Sequence, residues 1–289
     1  MLLDFTPVTL DRQAEYRTLF DNCRQKASDY SYINLWGWRD EYGLEWAWTE
    51  DRVWLRQTKP ETVYWAPIGR CCKGKWSRDM FPDDATRFIR VPEALAQIWT
   101  DELGLELTED RGHFDYIYSV PELVELAGNK FHKKKNLLNQ FKKKYDYEFK
   151  PMTPDCVEQA LDMQDSWCRW RDCESSETLL AENEAIYRVL THWDRLDGLI
   201  GGAIWVDGRI VAYSLADALE GDTLVIHFEK GETKYKGIYQ AINQMFLENQ
   251  GGTYLSVNRE QDLGDEGLRK AKLSYNPTGF LKKYALDLK

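Results

Sequence analysis

Two short passages of this chain read alike. Asp4-Phe-Thr-Pro-Val-Thr-Leu-Asp11 and Glu148-Phe-Lys-Pro-Met-Thr-Pro-Asp155 share an acid, Phe, Pro, an apolar residue, Thr and Asp in register, 144 positions apart. Each then enters an amphipathic run with helical spacing. A second pair follows in the same order. Ala47-Trp-Thr-Glu-Asp-Arg-Val-Trp54 and Ile204-Trp-Val-Asp-Gly-Arg-Ile-Val211 both read as strand, tight turn, strand. Two ordered echoes within 289 residues point to a duplicated domain. That constrains the fold severely, because each copy must close its own core with about half the chain.

The elements follow one order twice. The first half predicts helices over 9–24 and 31–41, then strands over 45–49, 52–57 and 62–69. A polar loop runs from Arg70 to Asp84, a helix from Pro92 to Leu103 with Gly104 as its stop, and strands over 105–108 and 114–120. The second half predicts a strand at 148–152 and helices over 154–172 and 178–196. A hairpin turning at Asp207-Gly208 and a strand at 223–229 follow. Helix 237–249, strand 253–258, helix 264–274 and a strand at 280–286 end the chain and close the second sheet. This is an α/β (α+β) pattern of mixed sheets, and it resembles the GNAT acyltransferase fold in tandem. The expected division is a GNAT-like domain over 1–128, a basic linking helix over 129–146 and a second GNAT-like domain over 147–289.

The linking helix is the most unusual stretch in composition. Lys130 to Lys144 holds seven lysines and no acid, in a chain of net charge −10, so the other residues carry −17. Phe131, Leu138, Phe141 and Tyr145 form one apolar stripe, and most lysines fall off it. Like charges so crowded repel one another unless a polyanion neutralises them. Lys133, Lys134, Lys135, Asn136 and Asn139 are therefore candidate phosphate contacts, with a solvated helix face as the plainer reading. The acidic remainder argues against a general nucleic-acid binder and for a focused patch.

No apolar run approaches a membrane span, and the N-terminus has no signal-type core. The six cysteines lack metal spacing and are expected to be reduced thiols of a cytoplasmic protein needing no metal. Eight of twelve tryptophans lie in the first 100 residues, where a packed core is the simplest use for them.

Candidate chemistry gathers late in the chain. Asn258-Arg-Glu-Gln-Asp-Leu-Gly264 follows an apolar strand, where open α/β sheets place ligands. Arg259 suits a carboxylate or phosphate, and Glu260 or Asp262 suits proton acceptance from an amine or hydroxyl. The plainer reading makes Asp262 a helix cap and Arg259 an ion-pair partner. Glu229 ends the central strand and shares a face with His227, which reads more simply as a core histidine. Lys234, Lys236 and Gly237 precede a helix and suit a phosphate, although bulky Tyr239 stands where an acyl-CoA loop needs a small residue. Lys272, Tyr275, Lys282 and Lys283 add a second basic cluster.

Three segments together resemble a known family. They are His132 to Phe141, Phe228-Glu-Lys230 with Lys236 to Asn243, and Asn258 to Tyr275. They are similar to soluble stand-alone relatives of the phosphatidylglycerol lysyltransferase C-terminal catalytic domain. The resemblance implies a tandem GNAT fold like that of Fem-type aminoacyltransferases, and transfer of an aminoacyl group from charged tRNA to an amine or hydroxyl. On that reading the basic helix holds tRNA, and Glu229, Arg259, Glu260 and Asp262 serve the reaction. Asn258, Lys272 and Tyr275 then line the substrate. The acceptor would be a small molecule, a lipid or a cell-wall precursor, with no cofactor beyond the donor. An acyl-CoA-dependent N-acyltransferase, using CoA at Gly237, and a non-catalytic module binding a phosphorylated ligand are the alternatives.

Overall fold

The computed structural model describes residues 1–72, 75–250 and 252–288. The first half forms β1 (Thr6–Pro7), α1 (Gln13–Phe20), α2 (Tyr32–Trp38), β2 (Leu44–Trp48), β3 (Arg52–Gln57), β4 (Val63–Gly69), β5 (Arg87–Pro92), α3 (Glu93–Leu103), β6 (Thr108–Glu109), β7 (Asp115–Ser119), α4 (Val120–Glu125) and α5 (His132–Lys144). The second half forms β8 (Tyr147–Pro151), α6 (Val157–Arg171), α7 (Glu177–Thr191), β9 (Ile200–Val206), β10 (Arg209–Glu220), β11 (Thr223–Gly231), α8 (Ile238–Gln250), β12 (Ser256–Asn258), α9 (Glu266–Leu273), β13 (Gly279–Leu281) and β14 (Lys283–Asp287). No helix among the described residues is long and apolar enough to cross a membrane.

There are two seven-stranded sheets, ordered β1-β2-β3-β4-β5-β14-β6 and β8-β9-β10-β11-β12-β7-β13. Each has a parallel pair at its fourth and fifth strands, β4 with β5 and β11 with β12. The echoes fall on equivalent places. The first supplies the edge strands β1 and β8, and the second the hairpins β2–β3 and β9–β10. Duplication into two like-ordered mixed sheets is therefore visible in the strand order itself.

The predicted boundaries are corrected. One compact unit comprises Met1–Asp115, Gln261–Glu266 and Phe280–Lys289, and the other Tyr116–Glu260 and Gly267–Gly279. Each half lends a strand to the other's sheet. β7 lies beside β12 in the second sheet, and β14 lies between β5 and β6 in the first. The last strand thus closes the first sheet, not the second. Local pattern specifies a strand but not its partner, so this exchange has no signature in spacing.

Aromatic burial fills the first unit. Trp46, Trp54, Trp65 and Trp99 are almost wholly enclosed, and Trp54, Trp76, Phe81, Phe88 and Trp99 pack edge to face or tilted at 5.0–6.3 Å between ring centres. Nearby, Lys283 is completely buried. Its ammonium binds Asp29 and lies 2.6 Å from Asp115, whose carboxylate also accepts from the Ser28 amide and hydroxyl.

In the second unit α5 is a wall of the core rather than a linker. Phe131, Leu138 and Phe141 are buried in one cluster with Ile238, Ala241 and Met245 of α8, as the stripe predicts. One expectation about cysteines is also corrected. Cys168 and Cys173 form a disulfide across the turn that ends α6, where Asp172 takes a left-handed φ of 53°. Cys23, Cys71, Cys72 and Cys156 are free thiols.

Candidate active site

β11 pairs with β12 only from Thr223–Ser256 to Val225–Asn258. Beyond that β11 runs on beside β10 to Gly231, while the other strand turns away. The turn is local chemistry. The Asn258 side chain accepts from the Glu260 amide at 2.8 Å, and Glu260 takes a left-handed φ of 56°. Arg259 donates its amide to the Tyr116 carbonyl of β7, so the diverging strand stays fastened on its far side. The two strands part at the C-terminal end of the parallel pair, the crevice position at which open sheets hold ligands.

Glu229 projects into this crevice from β11. Arg259 Nη2 meets its Oε1 at 2.9 Å, and Asn243 Nδ2 of α8 donates to its Oε2 at 3.1 Å. The Tyr275 ring lies 4.8 Å from the Arg259 guanidinium and the Tyr118 ring 5.7 Å. Lys134, reaching in from α5, places its ammonium 3.9 Å from the same Tyr275 ring. Two cations therefore share one aromatic ring. Gln240 holds that ring by donating to the Tyr275 hydroxyl at 3.2 Å. Arg259 Nη1 is buried and meets no acceptor among the described residues. A guanidinium nitrogen in that state is short of one hydrogen-bond acceptor.

The charges respond to this setting. Burial works against the Arg259 cation, but Glu229 together with the Tyr275 and Tyr118 phenols outweighs it, and its pKa is raised. Burial, then the positive charge of Arg259, lower that of Lys134. Burial raises the Tyr275 phenol. The crevice is thus a positive, partly dry place with one carboxylate to balance it.

His227 plays another part. It is buried between Glu260, 2.7 Å from Nδ1, and Asp217, 3.3 Å from Nε2. Burial alone would lower its pKa, but hydrogen bonds to Asp217 and Glu260 and their charges raise it to about 9. At neutral pH it is an imidazolium fastening two carboxylates, and Glu260 is occupied by it. Lys272 binds the carbonyls of Arg259 and Glu260, so it holds the turn rather than reaching into the crevice.

The other predicted residues are placed as follows. Asp262 belongs to the first unit, where it is fully buried, pairs with Arg111 at 3.0 Å and accepts the Gly264 amide at 2.9 Å. That bond closes a local turn ahead of α9, which begins at Glu266, so it is not the helix cap the plainer reading expected. Asn258 shapes the turn. Lys133, Lys135, Asn136 and Asn139 are exposed on α5. The phosphate cradle expected at Lys234, Lys236 and Gly237 is already filled by protein. Lys234 pairs with Glu232 at 2.7 Å, and the Lys236 amide donates to the Tyr145 hydroxyl at 3.3 Å. A Cβ on Gly237 would lie 2.2 Å from the Leu137 carbonyl. The glycine lets α5 approach α8, which leaves no room there for a phosphate. Lys283 is buried, not part of a basic surface.

Sequence reading missed Tyr118, Asn243 and Gln240. Asn243 did leave a signal, since it is a polar residue on the apolar face of a helix beside Ile242 and Phe246. It is 2% exposed and serves Glu229.

Comparison with known proteins accords with this architecture. The family described as "Phosphatidylglycerol lysyltransferase, C-terminal" matches residues 20–287. The chain belongs to that family. A crystal structure of a conserved protein of unknown function from Bacteroides thetaiotaomicron is 32% identical, covers 100% of both chains and superposes with a TM-score of 0.90. L-PGS from Bacillus licheniformis is 13% identical over 95% of this chain and 91% of that one, with a TM-score of 0.63, which shows the shared fold. An uncharacterized protein of Mycoplasmoides gallisepticum is 25% identical over 72% of this chain and 71% of its own length. The crevice between β11 and β12 lies within the residues that match the family.

Proposed function

We propose that the protein is an aminoacyltransferase that takes its aminoacyl group from charged tRNA and gives it to an amine or hydroxyl acceptor. Family membership supports the reaction class. The observation that carries the rest is Arg259, whose buried Nη1 meets no acceptor among the described residues and which pairs with Glu229 and shares the Tyr275 ring with Lys134. In the reaction the acceptor's lone pair forms a bond to the aminoacyl carbonyl carbon. The ester bond to the tRNA ribose oxygen breaks, and the acceptor's proton ends on that oxygen. Arg259 Nη1 is suited to donate to the oxygen on which negative charge develops, where a preorganised donor acts best. Glu229 keeps Arg259 aimed and retains free lone pairs for the travelling proton. Glu260 is held by His227 and Asp262 lies in the other unit, so Glu229 is the carboxylate left for this role.

Lys133, Lys135, Lys142, Lys143 and Lys144 are exposed along α5 and supply cations for RNA phosphates. The filled cradle at Gly237 disfavours acyl-CoA at that helix. The test is binding of total charged tRNA at several salt concentrations, followed by transfer of labelled amino acid. Three to five neutralised phosphates predict a log–log salt slope of roughly −2 to −4. Glu in place of Lys133 and Lys135 should flatten it. Salt-insensitive or absent tRNA binding would refute the donor. Binding without transfer, unchanged in Glu229→Gln, would point to a non-catalytic module.

A further inference from the structure

Lys134 stands apart from the other lysines of α5. It follows Phe131 by three residues and precedes Leu138 by four, so it falls on the helix's buried stripe. Lys133, Lys135, Lys142, Lys143 and Lys144 are exposed, whereas Lys134 is half-buried. Several lysines nearby have oxygen partners. Lys130 pairs with Glu122 at 2.7 Å, Lys135 reaches the Glu125 carbonyl at 3.4 Å, and Lys142 reaches Gln244 Oε1 at 3.2 Å. Lys134 has no hydrogen bond or ion pair among the described residues, and its ammonium faces the Tyr275 ring at 3.9 Å. Gln240 fixes that ring through its hydroxyl, and the Arg259 guanidinium lies 4.8 Å from it. The result is an ammonium partly out of water, near a second cation and without a carboxylate to steady it. Burial and then Arg259 lower its pKa, and no neighbour raises it. Such an ammonium gives up its proton more readily than an exposed lysine does, and solvent on its open side can replace it.

We propose that Lys134 is a second catalytic residue, the general acid that protonates the tRNA ribose oxygen as the ester breaks. This rests on the aminoacyl reading and divides its proton transfer between two groups. As the acceptor's lone pair bonds to the carbonyl carbon, Glu229 takes the acceptor's proton. The electron pair of the breaking C–O bond stays on the ribose oxygen, which takes a proton from Lys134 Nζ. Glu229 then loses its proton to solvent and the Lys134 amine gains one from solvent, so the cycle balances. Glu229 meets Arg259 directly and Lys134 meets the ring beside Arg259, so base, acid and oxyanion donor form one cluster. The same helix would hold RNA phosphates with its exposed lysines and serve the reacting end of that RNA with its inward one.

Single-turnover transfer of labelled amino acid from charged tRNA tests this in Lys134→Gln and Lys134→Arg. A general acid contributes about 10²–10⁴-fold, so both variants should be slowed at least about 100-fold, with tRNA affinity and its salt slope unchanged. Arginine keeps the charge but does not release its proton, so it separates an acid from a merely attractive cation. A second donor separates an acid from a misplaced side chain. Fluorine at the 2′ position of the terminal ribose draws electrons from the 3′ oxygen and eases its departure. With that donor the deficit of both variants should shrink about threefold or more, while that of Glu229→Gln stays the same. Transfer by either variant within about threefold of the wild type, or a Lys134→Arg deficit equal for the two donors, would overturn the acid. If the wild type uses only the ordinary donor, the first comparison decides alone. If it transfers from neither, the aminoacyl reading falls and the acid with it.

Discussion

Lys283→Met should be among the most damaging conservative-sized changes in the first unit. The ammonium of Lys283 is fully enclosed between Asp29 and Asp115, and Asp29 is also 2.9 Å from Arg90 Nη1. Methionine keeps the length and removes the charge, leaving two buried carboxylates with one guanidinium. Removing one partner of a buried ion pair costs about 3–5 kcal/mol, because the other charge is left unpaired. With urea m-values of about 1–3 kcal/mol per molar, the midpoint should fall by at least about 1 M. Acid dependence provides a second check. Burial raises the Asp29 pKa, but Lys283 and Arg90 outweigh it and hold it at about 2, against 3.8 ordinarily. A depressed carboxylate gives stability that is present above the unfolded pKa and is lost as pH falls through the folded one. The wild type should therefore lose about 2 kcal/mol between roughly pH 4 and pH 2 through this group. Lys283→Met should have lost that stability already at neutral pH. Urea unfolding followed by tryptophan fluorescence reports on this Trp-rich unit. Adding Asp115→Asn to Lys283→Met should recover part of the loss by removing one orphaned charge. A change under about 1 kcal/mol, or no recovery, would refute the claim that paired burial holds β14 in place.

Three further outcomes are expected. Gly237→Ala puts a Cβ 2.2 Å from the Leu137 carbonyl at a φ of 89°, so it should lower the second unit's melting temperature by the equivalent of about 2 kcal/mol or more. His227 has its pKa raised to about 9, so its stabilising effect is complete below about 6.5 and lost as pH rises through 9, a change of about 3 kcal/mol. Urea titrations from pH 6 to pH 10 should show it in the wild type and not in His227→Gln. Arg259→Lys cannot pair with Glu229 and also present a second forked donor, so labelled aminoacyl transfer should fall about 10–100-fold with far-ultraviolet circular dichroism unchanged.

The sequence was most informative where structure is local. The two echoes locate edge strands and hairpins, and the Asp207-Gly208 turn adopts the positive φ values its residues favour, 52° and 76°. The stripe from Phe131 to Phe141 is the buried face of α5. Pairings between distant segments were not legible. β5 was missed because Arg87-Phe-Ile-Arg-Val-Pro sets its charges three apart instead of alternating, and it breaks at the left-handed Arg90. Lys283 read as surface charge because its two aspartates lie 254 and 168 residues away. Arg259 and Asp262, three positions apart, were grouped as one site. The chain passes from one unit to the other between them. Cys168 and Cys173 read as thiols, since their approach depends on the left-handed turn at Asp172.

The exchange of β7 and β14 bears on how the chain is made. The first sheet needs β14, so its β5 and β6 strands stay unbridged until residue 287 has been synthesised. At about 5–20 residues per second, β6 waits roughly 10–35 s for its partner, with an unpaired edge open to other chains. The nascent N-terminal half cannot mature as a finished body while the rest is translated. Cutting the gene at its midpoint would give two fragments, each missing one strand and carrying the other's.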